Sequence, residues 1–75
     1  MSTLYDLNIR KIAKIHSLNN CNESISRLSE MGMIPGAVVR AVKKNPFGGP
    51  MQIKLNNYYI AIRKEDAKMI NIISK

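Results

Sequence analysis

The sequence predicts a small, mainly β domain whose sheet curls into a partly open barrel. Three observations carry this reading. Residues 37–44, AVVRAVKK, are dense in β-branched side chains. Residues 51–55, MQIKL, alternate apolar and polar without a break. Between them lies NPFGGP (Asn45–Pro50), with two of the chain's three prolines and two of its four glycines, which no helix accommodates. A chain of 75 residues buries only roughly 60% of its unfolded surface. Curling about five strands onto one another is then the economical way to cover one sheet face. Residues 1–75 form one domain, without repeat, linker or low-complexity tract.

Leu4 and Leu7 can pack a short opening turn onto the core. Residues 11–15, KIAKI, read as the first strand, although Ile12 and Ile15 do not alternate strictly. A helix follows over about 21–31. Asn20 suits its N-cap, with Glu23 three residues on as in a capping box. Ile25, Leu28 and Met31 recur at helical spacing, and Gly32 stands where a left-handed C-cap residue belongs. Pro35-Gly36 fits the central positions of a type II turn. NPFGGP reverses the chain between two strands. Asn56-Asn57 supplies the positive φ angles of a two-residue hairpin turn between MQIKL and YYIAIR. That turn pairs Met51 with Ile62, Ile53 with Ile60 and Leu55 with Tyr58 on one face, and Lys54 with Tyr59 and Gln52 with Ala61 on the other. A one-residue slip would bury Lys54. A short helical turn over about 64–68 puts Ala67 inward, and a closing strand points Ile70 and Ile72 into the core.

The formal charge is +7, from twelve Lys/Arg against five Asp/Glu. Such a balance attracts nucleic acid, anionic lipid or an acidic protein surface. The basic residues are spread along the chain, however, and Lys43-Lys44 and Arg63-Lys64 are only pairs, so a well-solvated surface is the reading they favour. The lone Cys21 excludes an internal disulfide and a CxxC motif, which suits a reducing compartment. No apolar run has the length of a signal peptide or of a membrane span. A cytoplasmic protein without direct membrane insertion is expected.

The chemistry-bearing residues do not assemble into a catalytic pattern. His16 is the single histidine, at the end of the first strand, without a carboxylate at a recognisable spacing. Glu65 and Asp66 are adjacent and diverge on a helical turn. Gly48-Gly49 lacks the spacing and the Lys-Ser/Thr of a phosphate loop. His16 and Cys21 together are too few for a specific iron site. No enzyme, no cofactor and no metal site are expected, and partner binding remains. Phe47, an aromatic between Pro and Gly, can anchor in a partner's pocket or fold back as a lid on the barrel. Tyr59 falls on the outer face beside Lys54. Met33, near the helix end, belongs to a soft apolar contact patch or completes the helix C-cap, with Met31 in the core.

From Arg27 to Ile70 the chain resembles the bacterial ferrous iron transport protein A (FeoA) family. The features that carry the likeness are Leu28, Met31-Gly32-Met33, Pro35-Gly36, Pro46, Gly48-Gly49-Pro50, Ile60-Ala61-Ile62-Arg63 and Ala67. The pattern extends over residues 11–73 and recurs in the C-terminal domain of some iron-dependent repressors. Many relatives carry a glycine shortly after a leading Leu-x-x-Leu, and this chain has none between Leu7 and Ile15. The resemblance implies an SH3-like barrel with a helix inserted after the first strand. It also implies an accessory role in ferrous iron uptake beside the membrane permease FeoB, which carries a cytosolic GTP-binding domain. The alternative is a basic barrel that binds nucleic acid, which is not expected because single-strand binders use a platform of stacked aromatics. Self-association through an exposed sheet edge stays open.

Overall fold

A computed structural model describes residues 2–19 and 22–74. The β-branched and alternating segments form β2 (Ile12–Leu18), β3 (Val38–Lys43), β4 (Met51–Leu55), β5 (Tyr58–Ile62) and β6 (Ile70–Ser74). The two-residue strand β1 (Ser2–Thr3) and a single 3₁₀ turn (Leu4–Asp6) precede them. Helix α1 (Glu23–Glu30) lies between β2 and β3, and the one-turn α2 (Lys64–Ala67) between β5 and β6. All strand pairs are antiparallel, in the order β1-β6-β2-β3-β4-β5. The mainly β, SH3-like, unclosed architecture is the one expected. The extra strand is β1, too short to carry an alternation signal, and it pairs with β6 through Ser2–Ile72 and Thr3–Asn71.

The β4–β5 register is the one deduced from the two-residue turn, from Met51–Ile62 to Leu55–Tyr58. Asn56 alone takes a positive φ there, 55°, so one left-handed residue suffices where two were expected. Two bulges curl the sheet. One falls at His16, between Ile15 and Ser17 of β2. The other falls at Val42, between Ala41 and Lys43 of β3. A bulge adds one residue to one strand, which bends and twists it more strongly. The first strand therefore runs to Leu18, three residues past its expected end, and His16 is not terminal but lies within it, exposed.

Curling brings one apolar face together. Leu4, Ile15, Val39, Met51, Ile53, Leu55, Ile62, Ile70 and Met33 are nearly or wholly inaccessible, and no polar side chain among the described residues is buried with them. Leu4, Leu7 and Ala67 join this core, as anticipated from their positions. Helix α1 contributes Ile25 and Leu28. Its N-cap is Asn22, whose Oδ1 accepts the Ile25 N–H at 2.8 Å. The capping box drawn on Asn20 and Glu23 is thereby corrected, since Glu23 is the first helical residue, and Asn20 itself lies outside the described residues, as does Cys21.

At the other end Gly32 adopts φ 107°, a conformation open to glycine and strained for other residues. The N–H of Gly32 donates to Ser29 O and that of Met33 to Leu28 O, each at 3.0 Å. These two bonds define a Schellman cap, in which the second residue past the helix meets the side chain near its end. The reversal swings Met33 into the core at 0% exposure and leaves Met31 on the surface at 38%. The helical stripe had assigned Met31 to the core, and this is a correction. The stripe stops one residue early because the chain has already turned. Downstream, Ala37 N–H donates to Ile34 O at 3.0 Å and Gly36 takes φ 95°, closing the expected Pro-Gly turn.

Two N-terminal features set local stability. The Asp6 carboxylate accepts from the Thr3 backbone N–H at 3.0 Å and from its hydroxyl at 3.1 Å. These bonds, the backbone one foremost, with Lys44 and Lys68 adding positive potential, hold Asp6 below its ordinary value of 3.8. A folded pKa below the unfolded one stabilises above the unfolded value and is lost as pH falls through the folded value. Relative to Asp6→Ala, the native chain is therefore expected to be more stable at pH 7, with the difference shrinking below about pH 3.8 in urea titrations.

Arg10 holds φ 73°, in the left-handed region that favours glycine. Left-handed backbone costs a non-glycine residue roughly 1–2 kcal/mol, partly offset by the entropy glycine loses on folding. Arg10→Gly is expected to raise stability by about 0.5–1 kcal/mol, read as a higher urea midpoint at unchanged slope.

Candidate docking surface

The sequence singled out Met33, Phe47 and Tyr59. Met33 is wholly buried by the Schellman cap, so its assignment to a contact patch is corrected, and the C-cap role weighed beside it is the one it fills. Phe47 is 95% exposed, which removes the lid reading. Tyr59 lies on the outer face at 59% exposure. Its ring sits beside its cross-strand partner Lys54, whose Nζ is 5.9 Å from the ring centroid.

The surface methionine is Met31, and the fold places Tyr58 against it. The Tyr58 hydroxyl donates to the Met31 carbonyl, one of the last-turn carbonyls that a helix leaves unsatisfied. This bond ties the α1 C-terminus to the β4–β5 hairpin. Between α1 and β5 runs an open groove of about 370 Å³, lined by Leu28, Met31, Tyr59, Ile60, Arg63 and Asp66 among others. Because β5 is outermost in the sheet, its outer backbone edge borders no other strand among the described residues, and an unpaired edge is a template for a further strand. The groove thus combines the side chains of Leu28, Met31 and Ile60, a mixed-charge rim of Arg27, Arg63 and Asp66, and the backbone edge of β5. Spacing could not reveal it, since Met31 and Tyr58 are 27 residues apart.

Sequence reasoning also missed a basic cluster. Lys44, Lys64 and Lys68 bring their Nζ atoms to 5.3, 5.7 and 5.5 Å from the centroid of the Tyr5 ring. They come from two places in the fold: the β3 exit, and the two ends of α2, its first residue and its C-cap. The only chain signal is that Lys64 and Lys68 are four apart on one helical face. Among the described residues no group of three or more His, Cys, Asp or Glu gathers at metal-binding distance, and no helix is long and apolar enough to cross a membrane.

A six-stranded, unclosed antiparallel sheet with one helix between its first long strands defines a small SH3-like domain. The FeoA-domain profile matches residues 2–74, and the chain belongs to the FeoA family, a family associated with ferrous iron transport. The solution structure of iron(II) transport protein A from Clostridium thermocellum superposes with a TM-score of 0.88 at 30% identity, over 96% of this chain and 44% of that one. This chain therefore spans less than half of that relative. FeoA from Stenotrophomonas maltophilia, solved with zinc and described as an SH3 domain protein and candidate ferrous iron transport activating factor, gives 0.86 at 27% identity, over 97% and 91%. A manganese-dependent transcriptional repressor gives 0.89 at 10% identity over 99% of this chain and 36% of its own, which shows a shared fold. No curated protein sequence is significantly similar.

Tyr58→Phe removes the only side-chain bond between α1 and β5 found among the described residues. It is expected to lower stability by about 1 kcal/mol and to speed amide exchange at Gly32 and Met33, measured by NMR.

Proposed function

We propose that this chain is a non-enzymatic accessory protein of ferrous iron uptake that works in the cytoplasm and docks on the cytosolic portion of a FeoB-type permease. The observation that carries the reading is the α1–β5 groove, where Met31 and Tyr59 stay exposed along the outermost strand of the sheet. Exposed tyrosines next to open backbone favour a polypeptide ligand, since aromatic side chains supply contact area at low entropic cost and the edge supplies regular hydrogen bonds. Membership of a family associated with ferrous iron transport supports the choice of partner. The basic surface aids association mainly through encounter rate.

The direct test is capture of the co-expressed cytosolic portion of the permease by the tagged chain. Tyr59→Ala is expected to weaken capture roughly thirtyfold or more while leaving the melting temperature unchanged, because Tyr59 lies outside the core. Met31→Ser should act in the same direction. Absence of binding by the native chain would reject the reading, and tight, steeply salt-dependent binding to arbitrary DNA or RNA would replace it with the nucleic-acid alternative.

A further inference from the structure

The basic cluster around Tyr5 adjoins the loop that carries Phe47. Gly48, the next residue, lies close enough that a Cβ there would stand 4.0 Å from Lys64 Nζ. Lys44 opens the same loop, and the loop closes onto Met51, whose partner Ile62 leads directly into Arg63 and Lys64. All of this is the end of the β4–β5 hairpin opposite its Asn56-Asn57 turn, and so is remote from Tyr58 and Met31. The loop is braced internally. Asn45 Oδ1 accepts the Phe47 N–H at 2.9 Å, and Asn45 O accepts the Gly48 N–H at 3.2 Å. Beside it a depression of about 500 Å³ is lined by Lys43, Lys44, Pro46 and Pro50, wide enough for a phosphate headgroup.

Charge at this end is unbalanced. Lys43, Lys44, Arg63, Lys64 and Lys68 face three neighbouring carboxylates, Asp6, Glu65 and, beside Arg63, Asp66. Asp6 is already engaged by Thr3. The one ion pair among the described residues is Glu23–Arg27, on α1, so none of these five cations has a carboxylate oxygen within ion-pair distance there. Ammonium groups gathered on one ring repel one another, and an arriving anion relieves that repulsion.

We propose that this end of the barrel is a peripheral membrane-binding face for anionic phospholipid, with Phe47 seated among the headgroups and the lysines on their phosphates. An aromatic projecting from a braced loop and ringed by cations combines the two signals that interfacial binding requires, apolar insertion and attraction to an anionic leaflet. The projection of Phe47, 95% exposed at the loop tip, decides against an acidic protein surface. A rigid partner would need a pocket matched to Phe47, whereas a fluid headgroup layer yields to it. The contact is a shallow seat of one loop tip and spans nothing, but it departs from the expectation of no direct membrane insertion. It does not depend on the docking proposed above, because the test uses the purified chain alone.

The chain has no tryptophan, so Phe47→Trp places a single reporter at the loop tip. Its emission is expected to shift to the blue with phosphatidylglycerol-containing vesicles and to stay unchanged with phosphatidylcholine vesicles. Lys64→Gln with Lys68→Gln should weaken vesicle co-sedimentation at least about tenfold, and Phe47→Ala roughly fivefold. Equal charge removal at Lys14 and Arg40, on β2 and β3, should weaken it much less. If the Lys64/Lys68 double variant proves unfolded by circular dichroism, Lys44→Gln takes its place. The proposal is overturned by no shift with anionic vesicles, by equal loss in the Lys14/Arg40 control, or by the same shift with polyglutamate.

Discussion

Every apolar side chain that this chain buries must reach one cluster, and a sheet can achieve that only by bending. The bulges at His16 and Val42 supply the bend, and α1 and the 3₁₀ turn close what the sheet leaves open with Ile25, Leu28 and Leu4. The core contains no polar side chain among the described residues, so no buried hydrogen bond specifies it. Register falls to alternation and turn chemistry. A one-residue slip of β4 would exchange Met51, Ile53 and Leu55 for Gln52 and Lys54, which is why a small, weakly covered core still yields one fold.

The same economy pushes function outward. With the interior filled by aliphatic side chains, the polar side chains among the described residues all lie at the surface. What the scaffold offers are two differently built exteriors. One is a groove with Met31 and Tyr59 exposed along the outermost strand, the surface proposed to take a polypeptide. The other is a protruding aromatic among unneutralised lysines, suited to an anionic layer. The Tyr58 end of the groove and the Phe47 loop lie at opposite ends of the β4–β5 hairpin, and Arg63 borders both surfaces.

Much of the architecture was legible in the sequence because it is set by neighbours along the chain. The alternation of MQIKL, the two-residue turn at Asn56-Asn57 and the Pro-Gly pair before β3 each specify backbone geometry within a few residues, and the β4–β5 register followed from them. Gly32 likewise marked the helix end. The errors arose where one local signal competed with another. Asn20 and Asn22 are equally good caps by type, and only the start of α1 at Glu23 favours Asn22. The stripe of Ile25, Leu28 and Met31 continues smoothly by spacing, but the left-handed turn at Gly32 gives the buried position to Met33.

The resemblance to the FeoA family, carried by turn and strand residues in order, was also within reach of the sequence, since those residues encode backbone geometry that any member must share. Only the tertiary structure decided which surfaces the chain presents. Whether Phe47 lids the barrel or leaves it depends on how completely aliphatic side chains already fill the interior. The convergence of Lys44, Lys64 and Lys68 on Tyr5 depends on the β3 exit, α2 and the N-terminal turn meeting at one end. A sequence records the charge of each residue, but the field between charges depends on distances that exist only after the chain has closed on itself.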